Sequence, residues 1–356
     1  MIGGDGNHPT PETGTEGPPD PSARLTVGTR VVVRQRLVDS PEAGATDVIG
    51  RLAVRTDDAL LIDTKRGRVA VPRRDVVAAK PVPPAATRPG PAHLRVSLDD
   101  LALVAAQGWV AVEQAALGSW LLRSAPGYTG RANSVLVVGD PGLPLDTALD
   151  HCERWYAERE QTTMFQVSGP AGFAIADHPV AQALVERGYT VGGGRPDWSR
   201  VLVMTGPLGG LPSATGTASQ VVVEKTLSEE WLRAYSEGRT PVPGITEAVL
   251  TGSERQLFLS IREETSGRII AVARLTLHPG WAGVFGLWVH PDHRRQGLAR
   301  SVMAAVGTIA RDNRTPAIYL QVSADNDAAM TMYEALGFTV HHEYTYLVQF
   351  EVFGSR

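Results

Sequence analysis

The residue types best suited to chemistry gather in one segment, Val289-His290-Pro291-Asp292-His293-Arg294-Arg295-Gln296-Gly297-Leu298-Ala299-Arg300. It joins an apolar run with strand character, Val284 to Val289, to an amphipathic helical run, Leu298 to Arg311. A turn without bulky apolar side chains that enters a helix at Gly297 exposes unpaired backbone N–H groups at the positive end of the helix dipole. That is the physical requirement for gripping a diphosphate, and Gly297 and Ala299 let such an anion approach the backbone. Alone, Arg-x-x-Gly-x-Ala serves equally as an ordinary strand-to-helix turn with a basic surface. A second helix places Asn326, Ala329 or Met330, Tyr333 and Leu336 or Gly337 at i, i+3/i+4, i+7 and i+10/i+11, so one face carries both Asn326 and Tyr333. A lone tyrosine there is as readily a packing residue as a proton donor.

Several elements must position these residues. Residues 1 to 24, dense in Gly, Pro, Thr and acids, read as a disordered tail. Short β-branched runs over 25 to 80, separated by turn-formers, predict a small all-β, SH3-like barrel. Prolines at 81, 83, 84, 89 and 91 make 81 to 93 a semi-rigid linker. From 94 to 206 the spacing predicts a helix at Leu98 to Gln107 capped by Ser97, strands at Val110 to Leu117, Trp120 to Ser124 and Asn133 to Val138, and a helix at Leu145 to Arg159. A strand at Met164 to Val167, a helix at Val180 to Arg187 and two more strands complete this block. A flexible connection, 207 to 219, leads into 220 to 356, where the same order returns behind an extra strand, ending in two closing strands. Gly188-Tyr189-Thr190-Val191 against Gly337-Phe338-Thr339-Val340, and Phe165-Gln166-Val167 against Leu320-Gln321-Val322, suggest a duplicated domain.

Together the two segments, V-x-P-x-x-R-x-x-G-x-A over Val289 to Ala299 and N-x-x-A-x-x-x-Y-x-x-x-G-F over Asn326 to Phe338, resemble the GNAT superfamily of acetyl-CoA-dependent N-acetyltransferases. The resemblance implies an α/β (α+β) fold of tandem GNAT-like domains behind the barrel. The first copy looks degenerate: it reads Gly139-Asp140-Pro141-Gly142-Leu143-Pro144-Leu145-Asp146 where the phosphate loop should be, and Pro144 removes a donor. The layout, with the stretch Arg131 to Leu136, is similar to actinobacterial proteins described as N-acetylglutamate synthase-like or histone acetyltransferase-like.

What the resemblance implies for chemistry is direct attack of an amine on the thioester of acetyl-CoA, the co-substrate, without a cysteine nucleophile. Backbone around Arg294, Arg295, Gln296, Gly297, Leu298, Ala299 and Arg300 would hold the diphosphate. A strand edge at Leu287 and Val289 would pair with pantetheine and polarise the carbonyl, with Asn326 and Tyr333 completing the cofactor site. Tyr333, a phenol of pKa about 10, would protonate the leaving thiolate, whose reference pKa is about 8.5. A carboxylate base usual in the family is missing; Gly283 stands there, leaving His278, His290 or Glu263 through a water chain.

Composition bounds the rest. With 43% hydrophobic and 20% charged residues over 356, the chain folds, and its length predicts more than one domain. Net charge of -4 argues against nucleic acid as a partner, and neither a signal-peptide pattern nor a long apolar run predicts a membrane. Cys152, the single cysteine, excludes an intrachain disulfide and a Cys-based metal cluster; we expect no metal and a cytoplasmic protein. The barrel holds 11 Lys or Arg against 7 Asp or Glu, a mild excess of +4, and no aromatic residue. Three functions are therefore open: an N-acetyltransferase for a small-molecule amine or amino acid, glutamate among them; one for protein lysine docked by the barrel; and a non-catalytic acyl-CoA sensor or scaffold. Tandem pairing within one chain points to a monomer.

Overall fold

A computed structural model describes residues 20–23, 25–37, 44–87, 89–212 and 221–349. They form two compact units, one ending at Pro81 and the other beginning at Val82.

The first unit is five antiparallel strands, β1 (Arg30–Arg36), β2 (Ala45–Arg55), β3 (Ala59–Thr64), β4 (Gly67–Pro72) and β5 (Val76–Pro81), in the order β4-β3-β2-β1-β5. Its two edge strands are consecutive in the chain and joined by the short turn Arg73–Asp75, so the sheet must roll until its edges approach. Alternation along the strands buries Val31, Val33, Leu52, Leu60, Ile62 and Val71 completely inside the roll. Gly50 permits the curl in the long β2, since a Cβ there would meet the Asp63 carbonyl oxygen at 2.2 Å. The end of the expected tail is anchored rather than loose: Asp20 forms an ion pair with Arg73, and Arg55 donates to the Leu25 carbonyl at 2.9 Å. The rest of that tail lies outside the described residues.

The second unit opens with α1 (Leu98–Gly108), capped by Ser97 accepting from the Asp100 N–H, then β6 (Glu113–Leu117), β7 (Trp120–Ser124), β8 (Val135–Leu136), α2 (Leu145–Ala157), β9 (Met164–Gly169), α3 (Pro179–Glu186), β10 (Tyr189–Val191), α4 (Pro196–Ser199) and β11 (Val201–Pro207). It continues with β12 (Val222–Glu224), α5 (Glu229–Ser236), α6 (Ile245–Thr251), β13 (Gln256–Arg262), β14 (Ile269–His278), β15 (Trp281–Val289), α7 (Leu298–Asp312), β16 (Ala317–Ser323), α8 (Asp327–Glu334) and β17 (Thr339–Gln349). The strand expected over Asn133 to Val138 shrinks to β8, because the Asn133 side chain bonds both the N–H and the carbonyl of Ala125 and turns the chain there. The two closing strands expected at the end are one long strand, β17, whose pairing with β11 slips once, between Val203 and Met204.

These strands make one continuous sheet, β12-β13-β14-β15-β16-β11-β17-β9-β8-β7-β6, with β10 paired to β17. The order is nearly palindromic about β11 and β17. On one side the parallel pair β15/β16 leads to β11; on the other the parallel pair β8/β9 leads to β17. Each half has thus sent its closing strand to its sibling's sheet. β11 pairs with β16 through seven residues, Val201 opposite Ser323 to Pro207 opposite Ala317, so the sixth strand on the second half's side of the sheet comes from the first half. The repeated triplets fall on the equivalent strands β9 and β16.

One buried charge ties the halves together. Arg274 on β14 is wholly inaccessible and donates to the carbonyls of Gly108 and Leu250 at 2.6 Å and to Ser253 Oγ at 2.9 Å. The carbonyls belong to the ends of α1 and α6, where intrahelical donors run out.

Candidate active site between the splayed strands

β15 and β16 run in parallel register only from Trp281/Ala317 to Val284/Leu320. Beyond that point β15 is thrown out of line by Gly286, at φ +61°, where its register with β14 also slips between Val272 and Arg274. Glycine is required: a Cβ would meet the Tyr235 ring at 2.9 Å, on top of the unfavourable φ. The strands therefore part, and a cavity of about 810 Å³ opens between them. Its walls are the outer half of β15, the loop into α7, the end of β16 and one face of α8.

The loop is shaped as its sequence predicts. Arg295 and Gly297 have φ of +63° and +82°, and Gly297 caps α7 with no side chain serving the helix end. The N–H groups of the first turn of α7 are thus left facing the cavity without intrahelical acceptors. At Gly297 no atom lies within 4 Å of where a Cβ would stand, so the approach is open. Arg294 turns back, its Nε donating to the Val289 carbonyl at 3.2 Å, which fixes the loop against the end of β15. Behind it α7 buries Leu298, Val302, Met303, Val306 and Ala310 against the sheet.

Of the residues predicted from sequence, Leu287, Val289, Arg294, Arg295, Gly297, Leu298, Ala299, Arg300, Asn326 and Tyr333 all border the cavity. Gln296 is not among its lining residues; its amide reaches the Asp292 carbonyl at 3.5 Å instead. Asn326 caps α8, accepting from the Ala329 N–H at 3.2 Å, and so sets the face that α8 presents. On that face Tyr333 is 7% exposed, its ring 5.9 Å from Phe338. Burial alone pushes its phenol up to about 12.

None of the three base candidates borders the cavity. His278 sits at the opposite end of β15's partner strand, bonded to Thr276 at 3.1 Å, and burial, with Arg274 and Arg255 nearby, lowers it to about 4. His290 faces Glu237 at 3.7 Å, and Glu263 faces His293 at 3.5 Å. No carboxylate is found among the described residues lining this cavity.

A second cavity, of about 880 Å³, adjoins the first and shares Arg131, Tyr235, Arg239, Gln321 and Ser323 with it. Its walls come from both halves: the segments around Gly127 to Asn133, Glu160 to Met164 and Arg195 to Val201 face Tyr235 and Arg239. Sequence reasoning did not single out these shared residues for chemistry. Only Arg131 lay in a quoted stretch, and the rest are isolated residues with no local pattern.

At the equivalent place in the first half, the phosphate-type loop is closed. The Asp99 carboxylate accepts from the Gly139 N–H at 3.0 Å and Asp140 from the Gly142 N–H at 2.7 Å, so internal anions occupy the donors. Gly118 at the β6–β7 turn presses on Pro141, where a Cβ would lie 2.3 Å from the backbone.

Comparison with known proteins agrees with this architecture. Residues 98–347 match the family described as "Probable histone acetyltransferase Rv0428c C-terminal", and residues 25–80 match "Rv0428c N-terminal Sm-like domain". The probable histone acetyltransferase Rv0428c of Mycobacterium tuberculosis is 26% identical over 90% of this chain and 95% of its own length. The uncharacterized N-acetyltransferase YobR of Bacillus subtilis is 24% identical over 71% of this chain and all of its own length. Among solved structures, a GCN5-related N-acetyltransferase from Kribbella flavida is similar over 70% of this chain and 94% of its own, at 20% identity and a TM-score of 0.49. The chain belongs to the Rv0428c family, and is a GNAT-type acetyltransferase behind a small Sm-like β domain.

Proposed function

We propose that the chain transfers the acetyl group of acetyl-CoA to the primary amine of a small molecule or amino acid, which enters through the second cavity. The observation that carries this reading is the meeting of the two cavities. One has an open strand edge, a helix N-terminus that no side chain caps and a tyrosine; the other is a polar chamber walled by both halves. These features fit the co-substrate: a left-handed turn with open space for a diphosphate and an unpaired β15 edge for an amide-containing arm. When bound, acetyl-CoA supplies an electrophilic thioester. The backbone of Arg295 to Arg300 holds the diphosphate, Leu287 and Val289 pair with the arm, and an N–H of that edge polarises the carbonyl. Asn326 sets the angle of α8, and Tyr333 gives its proton to the departing sulfur.

Burial raises the Tyr333 phenol to about 12, so the proton is still in place when the sulfur departs. We assign proton removal from the amine to solvent: no carboxylate borders the first cavity, and the histidine that does, His293, faces Glu263 at 3.5 Å. That favours acceptors that need little help: a lysine amine of pKa about 10.4 costs ~1.36 kcal/mol for each unit above the working pH.

A second reading, a protein lysine acceptor, draws on the relative described as a probable histone acetyltransferase and on the basic Sm-like domain. Thiol release from acetyl-CoA, measured against amino acids, polyamines, aminoglycosides and a lysine-rich protein, tests the proposal. Deleting residues 1 to 80 should spare small-molecule turnover; loss of protein acetylation alone would select the second reading. Tight CoA binding without release toward any amine would select a sensor. The single buried thiol, Cys152, suits the reducing cytoplasm in which we place the reaction.

A further inference from the structure

The residues shared by the two cavities include two guanidinium groups without an acidic partner. Arg131 follows Gly130, which is pressed so closely on Tyr346 that a Cβ would lie 2.8 Å from the ring. The Arg131 guanidinium lies over Trp109 at 4.8 Å and near Phe285 at 5.8 Å, and those rings stack at 5.3 Å. Nη1 donates to Gln321 Oε1 at 3.2 Å, an oxygen that also accepts from Tyr344 at 3.1 Å. Nε and Nη2 have no partner among the described residues. Arg239 comes from the far wall, over the Tyr235 ring at 4.3 Å, with Nη1 donating to the Tyr235 carbonyl at 3.3 Å. Of the carboxylates lining the second cavity, Asp197 pairs with Arg195 at 3.3 Å, and neither it nor Glu160 pairs with Arg131 or Arg239.

Both guanidinium groups are held by aromatic faces and border both cavities, with no carboxylate among the described residues paired to either. A guanidinium fixed by stacking and one hydrogen bond, with a pair of parallel donors still free, is built for a carboxylate. We propose that Arg131 and Arg239 hold a carboxylate of the acceptor, so that the amine acetylated belongs to an amino acid rather than to a polyamine or an aminoglycoside. This rests on the transferase reading above and narrows it.

The test compares kcat/KM for proteinogenic amino acids with that for their carboxamides, with phosphoethanolamine and putrescine alongside, in the full chain and in Arg131→Gln, Arg131→Lys and Arg239→Gln. A hydrogen-bonded charge predicts a preference for the acid over its amide of about 10- to 150-fold. The ratio should fall toward one in Arg131→Gln and be partly kept in Arg131→Lys; being a ratio, it is insensitive to a general loss of activity. Should Arg131→Gln not fold, Arg239→Gln gives the same readout. A ratio near one in the wild type, an unchanged ratio in both Gln variants, or a preference for phosphoethanolamine or putrescine would overturn the inference. Absence of turnover with every amine counts against the transferase reading instead. The inference is then read by calorimetry on the CoA-saturated protein: binding of an amino acid but not its amide, lost in Arg131→Gln, sustains it, and equal or absent binding overturns it.

Discussion

Replacing Tyr333 with Phe removes one oxygen from a site whose surroundings make the consequence calculable. The side chain is 7% exposed and its hydroxyl has no hydrogen-bond partner among the described residues, so the fold loses nothing it uses. We expect a stability change within about 1 kcal/mol. Catalysis is another matter. Without the donor, sulfur must leave as an unprotonated thiolate, and proton donation of this kind contributes about 100- to 10,000-fold where it operates. With water substituting in part we expect kcat to fall by about 100- to 1000-fold, or ~2.7 to 4.1 kcal/mol. The assay is thiol release at saturating acetyl-CoA, with acetyl-CoA affinity measured by calorimetry and melting temperature by calorimetric scan. Unchanged affinity and melting with the expected loss of kcat would locate the defect in the chemical step. A kcat within about threefold of wild type would refute the reasoning, because proton donation contributes at least about a hundredfold where it operates.

Other outcomes follow from the same geometry. Gly297→Ala keeps the open space but forces a side chain into φ +82°, a strain of about 1–2 kcal/mol, and should weaken acetyl-CoA about 10-fold; Gly297→Glu adds a negative charge toward the diphosphate and should weaken it at least about 100-fold. Equal affinities for the two variants in calorimetry would move the diphosphate elsewhere. With proton removal assigned to solvent, log kcat/KM should climb with pH at unit slope up to the pKa of the acceptor amine; a plateau near pH 7 would instead reveal a protein base, with His293 at the first cavity and Glu160 or Asp197 at the second the residues to replace. Burial, helped by neighbouring positive groups, lowers His278 to about 4 and His342 to about 3, whereas an unfolded histidine titrates near 6.5. Their stabilisation is therefore full above pH 6.5 and falls by ~1.4 kcal/mol per unit for each as pH drops toward 4; urea titrations should show a shallower slope in His278→Gln. Residues 221 to 356 expressed alone should give neither a cooperative unfolding transition nor acetyl-CoA binding, since β16 loses β11 and β17 loses β9; a folded monomer that binds would show the exchanged strands to be dispensable.

What could be read from the sequence was local. The segment from Val289 to Ala299 states its own geometry, since a strand, a turn poor in apolar side chains and a glycine at a helix start need no distant partner, and Asn326 and Tyr333 share a face by helical spacing alone. The closed loop of the first half was equally legible, with Pro144 as the signal, although the carboxylates that occupy its donors were not. Arg131, Tyr235 and Arg239 were beyond such reasoning, because a strand exchange spanning more than a hundred residues brings them to one place. The single long β17 was missed for a related reason: its continuity is imposed by β11 and β9 on either side, with the slip absorbed opposite Val203 and Met204. The base candidates failed on position, His278 lying at the hairpin end of β14 and not at the splay.

The central claim is that an acetyl group held between β15 and β16 passes to an amine arriving from the chamber shared by both halves. Mass spectrometry of the acceptor after incubation of the full chain with acetyl-CoA and a mixture of amino acids and amines tests it most directly. The account predicts one acetyl group on the nitrogen of a carboxylate-bearing amine, formed at the rate of thiol release and absent with Gly297→Glu. Thiol release without an acetylated amine, or acetylation undiminished in that variant, would contradict it.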